Sequence, residues 1–218
     1  MRTLIILLAL AVNLAAEVHS PPATWRGKTI GKTDGNPWVD DKGPRWRLDQ
    51  VYPDDFTKAE NWKPMAWANV QKKDVWFNET GSQGGHPAVA YAGSKFDIGM
   101  YSAADNLEWL KTSALVFVAP KDGDYRVKFA ATVTRWEGGG TVEVRYFTRA
   151  KSADGTEVIT RLRVDGMATD VPLTIEGEPG TLAKGDEYAV AFCVIGRHSG
   201  ASVKISALGI LGTATKKK

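Results

Sequence analysis

The feature that most constrains the fold is an alternation of apolar and polar residues with a period of two. Residues 125–133 read Tyr-Arg-Val-Lys-Phe-Ala-Ala-Thr-Val, so that one face of an extended chain is apolar and the other carries the charges. Such alternation is typical of a half-buried β-strand. It recurs over residues 141–148, 187–194 and 202–211. Shorter strand candidates are residues 74–78, 87–92, 96–101, 114–119, 157–163 and 171–175.

Turn-forming residues separate these candidates. They are Gly84-Gly85, Lys121-Asp122-Gly123-Asp124, Gly138-Gly139-Gly140, Ala153-Asp154-Gly155 and Lys184-Gly185-Asp186. Glycine supplies the backbone conformations of tight turns, and Asp bonds back to nearby backbone. Nine or ten short antiparallel strands with few helices predict an all-β, jelly-roll β-sandwich over residues 73–212.

The segment before this domain has a different composition. Residues 17–72 contain five of the eight tryptophans and frequent Pro and Gly, which exclude a long helix. Disordered linkers rarely carry so much aromatic surface. We therefore predict an extended but ordered aromatic-rich arm that packs on, or pairs with, the domain that follows. Residues 213–218 form a basic tail that ends in three lysines.

The first residues have the pattern of an export signal. Arg2 precedes an apolar run over residues 4–12, and small residues follow at Ala15 and Ala16. This is typical of a cleaved secretory signal peptide, and the run is too short to span a bilayer. We predict cleavage after Ala16, with cleavage after Ser20 as the alternative. The mature chain is then secreted, periplasmic or on the cell surface, with no integral membrane span.

Cysteine content and charge exclude several classes of protein. Cys193 is the only cysteine, so no internal disulfide or thiolate metal cluster can form, and its apolar strand predicts a small core residue. The 28 basic and 25 acidic residues are too balanced for a dedicated nucleic-acid-binding protein. An exported domain of this size without disulfides is more typical of bacterial than of animal proteins.

Two turn motifs carry a resemblance to known exported modules. Residues 117–127 match F-x-A-P-x-D-G-x-Y, and residues 182–186 match L-x-K-G-D. Asn36-Pro37-Trp38 and Gly85-His86-Pro87 accompany them. The pair resembles secreted bacterial carbohydrate-binding-module-like jelly-roll β-sandwiches, and it is also similar to the C1q and tumour-necrosis-factor-like jelly roll. The resemblance covers roughly residues 75–212. It implies a sandwich fold and a role in binding glycans or protein partners.

Aromatic side chains are the first candidates for a ligand site. Flat rings stack on the apolar faces of sugars, while polar neighbours take the hydroxyl hydrogen bonds. The opposing interpretation is that the tryptophans are buried anchors of the arm. The predicted ligand-binding residues are Trp62, Trp67, Trp76, Asn78, Trp109 and Trp136, of which Trp109 and Trp136 are expected in loops.

Charged residues offer weaker candidates. A structural Ca²⁺ could use acidic clusters at Asp40-Asp41, Asp54-Asp55 or Asp122 and Asp124, but no recognised calcium loop is present, and solvated turn carboxylates are the alternative. No other cofactor is expected. A basic strip of Arg145, Arg149, Arg161 and Arg163 could attract acidic glycans, unless Glu143 and Glu157 pair with these arginines.

Three functions remain open at this point. The leading hypothesis is a secreted, non-catalytic module that binds carbohydrate through stacking aromatics. The second is a jelly-roll assembly protein, similar to C1q, that forms a homo-oligomer or binds another exported protein. The third is a glycan-active hydrolase or lyase, although no nucleophile elbow of the form G-x-S-x-G occurs.

Overall fold

Antiparallel β-strands make up nearly all of the regular structure. The computed structural model describes residues 16–51, 55–70, 72–77, 88–92, 95–102, 112–196 and 198–214. In these ranges the only helical element is a 3-10 turn, Ala59–Asn61. No helix in the described ranges is long and apolar enough to cross a membrane. The predicted signal segment over residues 1–15 and the lysines of the tail lie outside the described residues.

The strands form two sheets. Sheet A contains β1 (Glu17–His19), β5 (Ala66–Val70), β6 (Lys73–Phe77), β7 (Ala88–Ala92), β8 (Lys95–Ser102), β10 (Gly123–Glu137), β13 (Pro172–Glu176), β14 (Gly180–Leu182) and β16 (Ser199–Ala214). Sheet B contains β2 (Trp38–Asp40), β3 (Gly43–Val51), β4 (Trp62–Pro64), β9 (Thr112–Val118), β11 (Thr141–Lys151), β12 (Glu157–Met167) and β15 (Glu187–Ile195).

The order of the strands brings distant parts of the chain together. Sheet A runs β13-β10-β16-β8-β7-β6-β5, with β1 paired to β16 and β14 to β10. Sheet B runs β12-β11-β15-β9-β3-β2, with β4 paired to β3. Every pairing between the described strands is antiparallel, and the predicted all-β sandwich is confirmed.

The core between the sheets follows from the alternation that predicted it. In β10, every second residue from Tyr125 to Val133 is buried, while Arg126 and Lys128 are exposed. Phe129 of sheet A meets Phe192 of sheet B edge-on, with ring centroids 5.7 Å apart. Such edge-to-face contacts are favourable beyond the burial of apolar area. The inner faces of the two sheets therefore form one continuous apolar core.

The aromatic-rich segment 17–72 is built into the sandwich. Its strand β3 lies inside sheet B between β9 and β2, and β5 pairs with β6 in sheet A. Trp25 lies in the main core, 1% exposed, against Trp76, Tyr91 and Phe96. Residues 17–51 and 55–70 therefore contribute strands and core side chains to the sandwich, and the domain boundary between residues 72 and 73 stays a prediction.

A second apolar cluster covers the outer face of sheet B. Phe56 and Trp62 pack against Phe147, and Phe56 stacks on it with ring centroids 4.8 Å apart. Because both faces of β15 are covered, its residues from Tyr188 to Val194 are all buried. Cys193 is fully buried there, as expected for a core residue.

A buried ion network stands beside this cluster. Arg47 binds both carboxylate oxygens of Asp49 and both of Glu187, and Arg149 contacts Asp49, Glu157 and Glu187. Burial raises the pKa of the Asp49 carboxyl, and the guanidiniums of Arg47 and Arg149 oppose that shift. The network joins β3, β11, β12 and β15 through side chains.

The first strand carries a pH-dependent contribution to stability. Burial against Phe117 and Tyr125 lowers the pKa of His19, a shift that Lys121 and Arg45 reinforce and Glu17 opposes. The unfolded chain then binds the proton more tightly, so stability falls as the pH drops through the unfolded value of about 6.5. We expect His19→Phe to flatten this decline in urea unfolding between pH 7 and 5. An unchanged slope would contradict the assignment.

Candidate functional site

The structure separates the predicted tryptophans into buried and accessible ones. Trp76 is fully buried in the main core, and its indole N–H faces the carbonyl of Trp25 at 3.4 Å. Trp62 is 6% exposed in the second cluster, with Arg149 4.9 Å above its ring. In this conformation neither ring presents a face to a ligand, which matches the alternative of buried anchors. Asn78 and Trp109 lie outside the described residues.

Trp136 is the exposed aromatic residue of the described chain. Its side chain is 46% exposed, whereas the other described aromatic residues are buried or half-buried. It lies within β10 rather than in the expected loop. The pairing of β10 with β16 passes from Arg135↔Ala201 to Glu137↔Gly200, which leaves Trp136 as the extra residue of a β-bulge. Bulges redirect a side chain, and here the bulge directs the indole across the neighbouring strand.

Tyr101 and Gly200 hold the indole of Trp136 in place, and we call these three residues together the platform (Tyr101, Trp136 and Gly200). Tyr101 of β8 pairs in register with Gly200 of β16. The rings of Tyr101 and Trp136 are parallel within 7°, with centroids 5.8 Å apart. The six-membered ring of Trp136 occupies the space that a Cβ at Gly200 would need. The absence of a side chain at Gly200 is therefore what lets the indole lie against the sheet.

The platform lies on the outer face of sheet A. Ile98 and Met100 of β8 are in the core, so Tyr101 and the other odd-numbered residues of this strand point outward. The register then places the outward residues in rows that cross three strands. The row next to the platform is Gly99, Ser202 and Thr134, and the row after it is Asp97, Lys204 and Thr132. We call these three rows the outer face of sheet A.

A cavity of about 750 Å³ adjoins the far end of this face. Asp97 and Lys204 of the third row belong to its lining. Trp67, Tyr91 and Phe96 supply aromatic surface. The rest of the lining is Thr24, Arg26, Lys73, Asp74, Ala90, Lys95, Ile205 and Ser206. Alternate residues of a strand are about 6.7 Å apart, so the platform and the third row are separated by about 13 Å.

The strand pairing explains why a cavity forms at this place. Strands β6 and β7 pair only through Trp76↔Val89 and Phe77↔Ala88, and they are unpaired towards Asp74 and Tyr91. Residues 22–26 pass this opening, where the Tyr91 hydroxyl donates to the carbonyl of Pro22. The predicted site residue Trp67 is 6% exposed and lies on the wall of the cavity.

The cavity carries an excess of positive charge. Arg26 pairs with Asp74 at 3.2 Å and lies 5.9 Å from the ring centroid of Trp67. Asn69 also donates to Asp74, at 2.9 Å. Lys73, Lys95 and Lys204 form no ion pair within the described part of the chain. Asp97 is the one remaining carboxylate of the lining, so the cations outnumber the anions.

The other predicted charge sites have local partners. Asp122 accepts from the backbone N–H of Lys184, and Asp124 accepts from the Thr181 hydroxyl. Among the described residues, no group of three or more His, Cys, Asp or Glu could hold a metal ion. The calcium site that the sequence left open beside solvated turn carboxylates stays untested.

The predicted basic strip is largely neutralised. Arg145 contacts Glu143, Arg149 contacts Glu157, and Arg163 contacts Asp165 and Glu178. Cross-strand and same-strand ion pairs of this kind were the alternative in the sequence interpretation. Arg161, the fourth member of the strip, has no ion pair among the described residues. The cavity adds further unpaired cations, on residues to which the sequence interpretation assigned no role.

Several residues of the site were missed from sequence. Tyr101 and Lys204 occur in ordinary alternating strands, and Gly200 is one of 22 glycines. One signal was present: β8 reads Asp-Ile-Gly-Met-Tyr over residues 97–101, in which the outward positions are polar, small and aromatic. This pattern indicates that the outward side chains of β8 leave room for a ligand. It does not identify the neighbouring strands that form the rest of the site.

Comparison with known proteins finds weakly similar solved structures. No protein-family model matches the chain, and no curated protein matches it. Among solved structures, the chain is similar to the CBM22-1 xylan-binding domain of Paenibacillus barcinonensis Xyn10C, with 8% identity over 77% of this chain and 94% of that one and a TM-score of 0.39.

Two further solved structures are also similar to the chain. The C-terminal family 22 carbohydrate binding module of Clostridium thermocellum Xyn10B has 6% identity over 56% of this chain and 84% of that one, with a TM-score of 0.32. The Arthrobacter globiformis T6 isomalto-dextranase has 15% identity over 67% of this chain and 22% of that one, with a TM-score of 0.33. TM-scores this low assign neither a family nor a ligand to this chain.

Proposed function

We propose that the protein is a non-catalytic carbohydrate-binding module whose ligand lies on the outer face of sheet A. The observation that carries this proposal is the exposed Trp136, held parallel to Tyr101 over Gly200. An exposed indole face is the kind of surface on which the apolar face of a sugar ring stacks. The β-bulge at Trp136 and the missing side chain at Gly200 keep the ring in one orientation.

The neighbouring rows supply what a sugar requires besides stacking. The hydroxyls of Ser202 and Thr134 lie one row from the platform and can exchange hydrogen bonds with sugar hydroxyls. Gly99 adds no side chain, so a ligand can approach the sheet closely there. With an aromatic end, a hydroxyl-bearing middle and a charged end about 13 Å away, the face suits an oligosaccharide better than a single sugar.

The direct test is a glycan array probed with the purified chain from Glu17 onward. We expect binding to a limited set of oligosaccharides and none to their monosaccharides, because one ring cannot reach from the platform to the third row. Absence of binding across a broad array would contradict the proposal.

We further propose that the chain is exported and that cleavage follows Ala16. Strand β1 pairs Glu17, Val18 and His19 with Gly212, Leu211 and Ile210. Lys121 also binds the Glu17 carboxylate at 2.6 Å. Cleavage after Ser20 would remove this strand. We expect mass spectrometry of the exported protein to give a chain that begins at Glu17, and a mature chain that begins at Pro21 would contradict this.

A further inference from the structure

We infer that the cavity beside the third row binds an anionic substituent of the glycan, a carboxylate or a sulfate. This inference rests on the proposed function, since it extends the same ligand from the platform into the cavity. The cavity and the outer face share Asp97 and Lys204, so a chain that stacks on Trp136 and follows the strands reaches the cavity directly.

The charges of the lining favour an anion. Among the described residues of the lining, the cations are Arg26, Lys73, Lys95 and Lys204 and the anions are Asp74 and Asp97, and Asp74 already has Arg26 as its partner. Three ammonium groups are therefore balanced by one carboxylate. Like charges that converge on one cavity repel each other, and a bound anion relieves that repulsion.

The shape of the cavity favours a substituent on a ring rather than a free ion. Its volume is about 750 Å³, and Trp67, Tyr91 and Phe96 form part of its wall. A small free anion would fill only part of a cavity of this size, whereas an acidic sugar fills it with its ring and presents its charge to the lysines. Charged and apolar surfaces of the cavity are then used together.

The test compares neutral and charged members of two glycan series. The first pair is a xylo-oligosaccharide with and without glucuronic acid side groups. The second is a galacto-oligosaccharide with and without sulfate. Dissociation constants are measured by calorimetry at low salt and at about 0.5 M salt, where charge attraction is largely screened. We expect the charged member of at least one pair to bind more tightly than its neutral partner, by about tenfold at low salt, with the advantage lost at high salt.

Substitutions of the lysines test whether the preference for charged glycans arises in the cavity. The triple variant Lys73→Gln, Lys95→Gln and Lys204→Gln is expected to lower the charged-to-neutral preference about tenfold, with about twofold from each lysine. Lys184→Gln, in an exposed turn, is the matched control and should keep the preference. A preference for the carboxylate alone or the sulfate alone identifies which anion is bound, and either supports the inference.

Other outcomes would overturn it. Equal binding of charged and neutral members, or a preference that survives the triple variant, removes the cavity from recognition and leaves glycan binding at the platform intact. Failure to bind any of the four probes also overturns the inference. In that case binding to other, uncharged glycans on the array would show that the proposed function itself stands.

Discussion

Replacing Trp136 by alanine is expected to weaken glycan binding by at least about tenfold, or ~1.4 kcal/mol, which is the range of a central aromatic residue in a binding site. The indole provides the exposed half of the platform, and its loss leaves Tyr101 with no parallel partner. Because the ring is 46% exposed, its removal leaves no cavity in the core. The unfolding free energy should therefore fall by no more than about 2 kcal/mol, from the lost contacts with Tyr101 and the strand surface.

Two further variants test whether the loss of affinity comes from lost ring stacking or only from the removal of side-chain surface. Trp136→Phe keeps an aromatic face and should retain part of the affinity. Gly200→Ala introduces a Cβ into the space of the Trp136 ring and should displace it, so that affinity falls although no ring is removed. Calorimetric titration with the tightest-binding oligosaccharide from the array measures all three. Wild-type affinity in Trp136→Ala would exclude the platform from the site.

Replacing Trp25 by alanine is expected to have the opposite effect: a large loss of stability rather than a direct loss of glycan affinity. Trp25 is 1% exposed, contacts Trp76, Tyr91 and Phe96, and donates its indole N–H to the carbonyl of Gly35 at 2.8 Å. Replacing a buried tryptophan by alanine typically costs about 3–5 kcal/mol, because the cavity that remains does not collapse fully. Trp25→Ala should therefore destabilise the whole sandwich.

Urea unfolding monitored by circular dichroism measures this effect, with Trp136→Ala as the matched control. Cooperative loss of the complete β signal at lower urea is the expected result, since the segment 17–70 shares its core with the rest of the chain. A loss below about 1 kcal/mol, or a separate early transition with the main one unchanged, would mean that this segment is an independent arm.

The strands could be predicted because their information is local. In β10, alternating side chains meet the core and the solvent in turn, and the same period marks β11, β15 and β16. The position of the aromatic-rich segment could not be predicted in the same way. Strand β3 pairs with β9, more than sixty residues further along the chain, and no local pattern specifies such a partner.

The site depends still more on long-range pairing. The platform joins Tyr101 of β8, Trp136 of β10 and Gly200 of β16, which become neighbours only through the register of the sheet. Composition identified tryptophan as the candidate residue type, yet it could not distinguish Trp76, buried at 0% exposure, from Trp136. Extending the alternation of β10 places Trp136 in phase with the outward Thr132 and Thr134, but its position over Gly200 follows from the bulge and the register, which leave no signature in the sequence.

The most direct test of the account is a nitrogen-15 NMR titration of the indole N–H signals of the eight tryptophans with the tightest-binding glycan. The signal of Trp136, identified by its absence in Trp136→Ala, should shift on binding. The signals of Trp25, Trp46 and Trp76, which are buried in the core, should stay in place. Saturation of the protein with glycan while the Trp136 signal remains unmoved would contradict the claim that the platform binds the ligand.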